Sequence, residues 1–98
     1  MLGGMSSTAQ IATPDIGKLV NAHLHDINTH LGTSHETLDA ITFKTQVVNG
    51  TNYFIKVRAG SNFYHCRIFK PLPMTGNPSE FVRAESGHTL ASNIKYIK

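Results

Sequence analysis

Apolar positions change their spacing once along this chain, near Leu38, and the change separates a helical segment from a run of strands. Ile16, Leu19, Val20, Leu24, Ile27 and Leu31 follow one another at intervals of three, one, four, three and four. That spacing makes one apolar stripe of an amphipathic helix. Thr13 can cap its start, Pro14 suits the first helical position, and Asp15 favours the positive helix end. Gly32 is the expected stop. From Leu38 the period is two: Ile41, Phe43, Thr45 and Val47 alternate with Thr42, Lys44, Gln46 and Val48. Asn49-Gly50 then signals a hairpin, since both residues tolerate positive φ. A second strand is expected over Asn52 to Arg58, a turn at Ala59-Gly60-Ser61-Asn62, and a third strand over Phe63 to Lys70. The Pro-rich stretch Pro71 to Pro78 forbids ladder pairing and reads as a longer loop. A fourth strand is expected near Phe81 to Glu85, and a fifth over Ile94 to Ile97. A helix followed by consecutive hairpins predicts an α+β fold, the helix lying across one face of an antiparallel sheet of four to five strands. No internal repeat or linker divides residues 1–98, which read as a single domain with residues 1–12 as a flexible, small and polar N-terminal arm.

Composition narrows the function classes. The chain has 98 residues, 40% of them apolar and 15% charged, which suits a globular protein with one modest core. A net charge of +3 with the basic residues scattered falls short of a nucleic-acid signature, so no nucleic-acid partner is expected. No apolar run is long enough to span a bilayer, so no membrane partner is expected either. The start MLGGMSSTAQ has no basic or apolar region of signal-peptide type. With a single cysteine, Cys66, no internal disulfide can form. Both features predict a reducing, cytoplasmic setting.

Candidate chemistry is sparse. His23 and His25 are two apart on a helix and point to different faces. His30, His35, His65 and His88 have no Cys or carboxylate spacing that joins them, so they read as surface side chains, and neither a metal nor a cofactor is expected. His65 and Cys66 are neighbours on a strand and point to opposite faces, so they cannot act as a catalytic pair. Cys66 shares its face with Tyr64 and Ile68 and reads as a small core residue. No enzyme is expected. Val47, Val48, Leu72 and Pro73 are the anomaly: apolar residues on loops, where polar ones are the rule and where docking surfaces are found.

The stretch Lys44 to Gly60, KTQVVNGTNYFIKVRAG, resembles the stefins, the small intracellular branch of the cystatin superfamily. Their Gln-x-Val-x-Gly motif stands here as Gln46-Val47-Val48-Asn49-Gly50, and the match continues through Thr51-Asn52-Tyr53 and Ile55 to Gly60. Gly3-Gly4 matches the glycine of the stefin arm, Ala12-Thr13-Pro14 opens the helix, and Leu72-Pro73 matches a Leu-Pro pair. The resemblance covers roughly residues 1–75; the tail from His88 to Lys98 departs from the usual stefin ending.

The resemblance implies a cystatin fold and tight, reversible, competitive inhibition of papain-like cysteine proteases of the cathepsin type. The implied contact residues are Gly3, Gly4, Gln46, Val47, Val48, Asn49, Gly50, Leu72 and Pro73, with either Gly3 or Gly4 as the family glycine. They would form a wedge that covers the protease's active-site cysteine without being acylated. Trp in place of Gly50 is expected to widen the tip and spoil docking while sparing the fold. A non-inhibitory interaction module on the same fold is the alternative. The family also implies a monomer whose first hairpin, hinged at Val48-Asn49-Gly50, can open into a domain-swapped dimer.

Overall fold

A computed structural model describes residues 4–6 and 8–98. Five strands run in chain order as an antiparallel meander: β1 (Gln10–Ile11), β2 (Asp39–Val48), β3 (Gly50–Ala59), β4 (Asn62–Lys70) and β5 (Glu80–His88). Two helical segments, α1 (Pro14–Ala22) and α2 (Leu24–Leu31), lie between β1 and β2. This is the α+β architecture expected from the alternation and the stripe, with three differences in detail.

First, the helix is broken at His23. Its backbone (φ −110°, ψ 20°) leaves the helical region, and its N–H turns back to Val20 O at 3.0 Å. The His23 side chain at the break is turned into the protein. It is buried, with Nε2 2.7 Å from Ser79 Oγ and Nδ1 3.3 Å from Asp26 Oδ2. The stripe nevertheless continues across the break, so Val20 and Ile27 are both fully buried. α1 packs toward β2 and α2 toward β5. Thr13 Oγ1 accepts from Ile16 N–H, and Gly32 closes α2 at φ 71°, in the left-handed region a Gly stop favours.

Second, the fifth strand is Gln10–Ile11, paired with Phe43 and Thr42, and not Ile94 to Ile97. The stretch expected to hang free is held further back as well. Ser6 N–H donates to Thr45 O at 2.7 Å, and Thr45 N–H donates to Ser6 Oγ at 3.0 Å.

Third, residues 89–98 form no strand. They cross the sheet face that the helices leave bare. Period-two alternation gives each strand two faces. One carries Phe43, Ile55, Val57, Tyr64, Cys66, Ile68 and Ala84 against Ile16, Val20 and Ile27, and this is the main core. The other carries Phe54, on which Ile94 and Ile97 pack, with Met5 at the edge. No described helix is long and apolar enough to cross a membrane.

Candidate functional site

β2 and β3 meet at Val48↔Gly50, which leaves Asn49 alone at the apex. Asn49 and Gly50 both tolerate positive φ, and a type I′ turn would use it at each. Only Gly50 is there, at φ 124°. The glycine is needed for a second reason. A Cβ at Gly50 would lie 2.7 Å from Lys70 O and 2.7 Å from the Phe69 ring. Gly50 is therefore buried against the end of β4, and any side chain would push the tip off that strand. The expectation that Trp at this position spares the fold is corrected accordingly. Val47, by contrast, is 64% exposed, and Asn49 is exposed; Gln46 and Val48 are half-buried.

Leu72 and Pro73 come next to this tip. Leu72 is half-buried and precedes a 3₁₀ turn, Pro73–Thr75, closed by Thr75 N–H and Thr75 Oγ1 on Leu72 O at 3.0 and 2.8 Å. A cleft of about 190 Å³ lies between Gly50-Thr51 on one side and Lys70, Pro71, Leu72 and Pro73 on the other, so the two loops share one end of the sheet. Met74 extends the apolar surface of the second loop and is 86% exposed. The motif reading passed over it, although an apolar residue beside Leu72-Pro73 carried the same signal.

The arm approaches the same end. Because β1 is antiparallel to β2, tracing back from Ile11 to Ser6 advances along β2 from Thr42 to Thr45, toward the hairpin tip. Gly4 is exposed, with no atom within 4 Å of where a Cβ would stand. Gly3 lies outside the described residues.

Behind the tip runs a polar chain that the motif did not disclose. Asn52 Nδ2 donates to Gln46 Oε1 at 3.0 Å, Arg67 Nε donates to Asn52 Oδ1 at 3.1 Å, and Arg67 Nη1 donates to Ile97 O at 2.9 Å. The Arg67 guanidinium also lies 5.3 Å from the centre of the Tyr96 ring, within cation–π range. Gln46 is thus linked to the divergent tail through Asn52 and Arg67. Period-two alternation places Gln46, Asn52 and Arg67 on one face, but nothing in the sequence says that residues 96–97 return to it.

The remaining chemistry divides as follows. Cys66 is fully buried in the main core, and burial pushes its thiol up to about 12. His65 points to the opposite face, so the pair cannot act together, as expected from the strand. The reading of the histidines as scattered surface groups is corrected. His23 and His65 are buried, His35 Nε2 lies 2.9 Å from the Tyr64 hydroxyl, and the His65 and His88 rings stack at 3.7 Å.

Comparison with known proteins agrees with this geometry. Residues 3–88 match the cystatin domain. The chain is 38% identical to Cystatin-A2 of Dictyostelium discoideum over 96 residues, covering 98% of this chain and 97% of the relative. It is 45% identical to human Cystatin-A over 74 residues, 74% of this chain and 76% of that one. It is 36% identical over 83 residues to leukocyte cysteine proteinase inhibitor 1 of Sus scrofa, 84% of this chain and 81% of that one. With the motif hairpin, the Leu-Pro turn and the sheet all in place, the chain belongs to the stefin branch of the cystatin family.

Proposed function

We propose that this protein is a reversible inhibitor of papain-like cysteine proteases of the cathepsin type, acting in the cytoplasm by covering the active-site cleft. Family membership supports cysteine-protease inhibition in general. The observation that carries the finer reading is Val47. It is a β-branched apolar residue left 64% exposed near a one-residue apex, at the same end of the sheet as the loop that carries an exposed Met74 and a half-buried Leu72. Such a patch has no role in the chain's own core and suits burial against a partner. The hairpin and the 3₁₀ turn are closed by their own hydrogen bonds, so little ordering entropy opposes docking. Interfaces of this class bury about 1,600 Å² in total. The wedge residues proposed are Gly3, Gly4, Gln46, Val47, Val48, Asn49, Leu72 and Pro73. Gly50 takes its part by letting the hairpin seat on β4.

Titration of active papain with the full chain tests this. Stoichiometric loss of activity is expected, with the chain recovered uncleaved. Val47→Asp should weaken inhibition by about tenfold or more, since burial of a Val side chain contributes roughly 1.5–3 kcal/mol, and its melting temperature should stay unchanged. A folded chain that leaves papain fully active overturns the reading. Papain whose active-site sulfur carries a methylthio cap should still bind, because occlusion needs no attack by that sulfur.

A further inference from the structure

We propose that His65, Glu85 and His88 form a binding site for a zinc ion at the pole of the sheet away from the hairpin tip. Their donor atoms all lie within 4.8 Å of one another. The sequence hides this grouping. Glu85 and His88 are three apart, and in a regular strand such residues point to opposite faces. Here Phe63 pairs with His88 and His65 pairs with Glu85, so β5 spends one more residue than β4 over this stretch. The extra residue is a bulge at Ser86-Gly87, with Gly87 at φ 79°, where a side chain is disfavoured. The bulge flips the alternation and turns His88 onto the face that Glu85 and His65 already occupy.

The second observation is independent of that clustering. His65 is 1% exposed, and its Nε2 has no hydrogen-bonding partner among the described residues. A buried nitrogen without a partner is costly and uncommon, and it calls for an explanation. His65 lines a cleft of about 440 Å³ together with Glu85, His88, Asn93, Lys95 and Tyr96. The cleft opens to solvent, so an ion has a way in and water has a place beside it.

Charge and chemistry select the ion. Two imidazoles and one carboxylate are the donors of zinc sites, whereas magnesium and calcium take oxygen donors. Lys56 pairs with His65 across β3 and β4, but its ammonium is turned to the carbonyls of Leu90 and Ser92. Glu85 supplies the compensating negative charge, and it already lies 3.1 Å from His88 Nε2.

Binding requires one movement. The two rings are stacked at 12°, and parallel rings cannot both aim at one ion. Donors around a tetrahedral zinc are about 3.4 Å apart at Zn–N distances near 2.1 Å. His88 is the ring free to turn, since its side chain is 25% exposed while His65 is locked in place. A bound ion would pin β5 to β4 at the bulge, beneath the tail.

The experiment uses the full, untagged chain at pH 7.5. Calorimetry with zinc chloride should show one ion per chain, and calcium and magnesium should show none. At about a hundredfold excess over Kd, zinc should raise the unfolding midpoint by roughly 10 °C. His88→Ala and Glu85→Gln should each weaken zinc binding by about tenfold or more. Both positions are partly exposed, so the variants should fold, and circular dichroism verifies it. His25→Ala, which removes an exposed histidine elsewhere, should bind zinc as the parent does. Absence of binding, or equal binding by His88→Ala, overturns the site. Papain titration with and without zinc should agree, because the site is about 17 Å along β4 from Lys70 at the tip.

Discussion

The two faces of this sheet are both covered by other parts of the chain, but the covers are held by different forces. On the helix face, Ile16, Val20 and Ile27 meet Ile55, Val57, Cys66 and Ile68, and shape and apolar burial account for the contact. On the tail face, the apolar part shrinks to Phe54, Ile94 and Ile97. The rest is cationic. Lys44 Nζ donates to Ile94 O at 3.1 Å, Lys56 Nζ to the carbonyls of Leu90 and Ser92, and Arg67 Nη1 to Ile97 O. Three basic side chains thus capture an irregular segment by its backbone carbonyls. Such a segment has no ladder partner, so its carbonyls need donors from elsewhere once covered. The difference shows that a sheet face patterned as polar need not face water. It can be covered by chain whose unpaired backbone matches its charges.

β4 displays the contrast in two adjacent residues. Cys66 enters the helix face and His65 the tail face, and burial opposes ionisation of both. It pushes the thiol up to about 12 and, with His88 and Lys56, the imidazole down to about 4. Only the second lies where acid can reach it.

The comparison can be broken most severely from the helix side. Ile27→Ala removes a fully buried side chain and should cost about 2–5 kcal/mol. The melting temperature should fall by more than roughly 10 °C. A drop of only a degree or two would mean that α2 contributes little to the core.

Acid should act almost as strongly, and on the tail face. In buffer with EDTA, His65 takes up its proton near pH 4 in the native state and near 6.5 when unfolded. Between those values the unfolded chain binds more protons. Stability from this group is therefore fully present above pH 6.5 and lost as pH falls toward 4. The loss is roughly 3 kcal/mol. The charged neighbours that face this ring, Lys56, Glu85, His88 and Lys95, belong to the same measurement. Melting curves of the parent and of His65→Phe at pH 7 and pH 4.5 isolate the effect, since Phe keeps a ring against His88 without a proton site. Equal pH dependence in both proteins would refute the assignment.

Lys56→Met should have the smallest effect. Its two charge-assisted bonds are lost while most of the buried stem volume is kept. About 1–2 kcal/mol of stability should go with them, and the tail should loosen more than the core. Faster tryptic cleavage after Lys95 reads the tail alone. Unchanged cleavage would show that Ile94 and Ile97 suffice to hold it.

Much of this was legible from local pattern. The stripe from Ile16 to Leu31, the alternation from Ile41 to Val48, and the turns at Gly32 and Gly60 concern neighbours along the chain, where period and φ preference decide. The motif hairpin and Leu72-Pro73 were legible too, because they stand in order on that pattern. Less legible were features that depend on what arrives from elsewhere. The helix break falls at His23, whose ring meets Ser79 from 56 residues further along the chain. Gly50 is required by Phe69 and Lys70 behind it as much as by its own φ. Met74 gained meaning only once its turn was seen at the same end of the sheet as the Gly50 hairpin.

The sequence by itself determined the helix and strand periods, the face to which Cys66 and His65 point, and the family through Gln46 to Gly50. Those follow from spacing and residue type within a few positions of one another. Tertiary structure decided which strand is the fifth, what covers Lys44, Lys56 and Arg67, and that His65, Glu85 and His88 meet. Each of these depends on a contact between distant segments or on a single-residue bulge. A bulge reverses every later side chain on its strand while leaving the alternating pattern before it untouched.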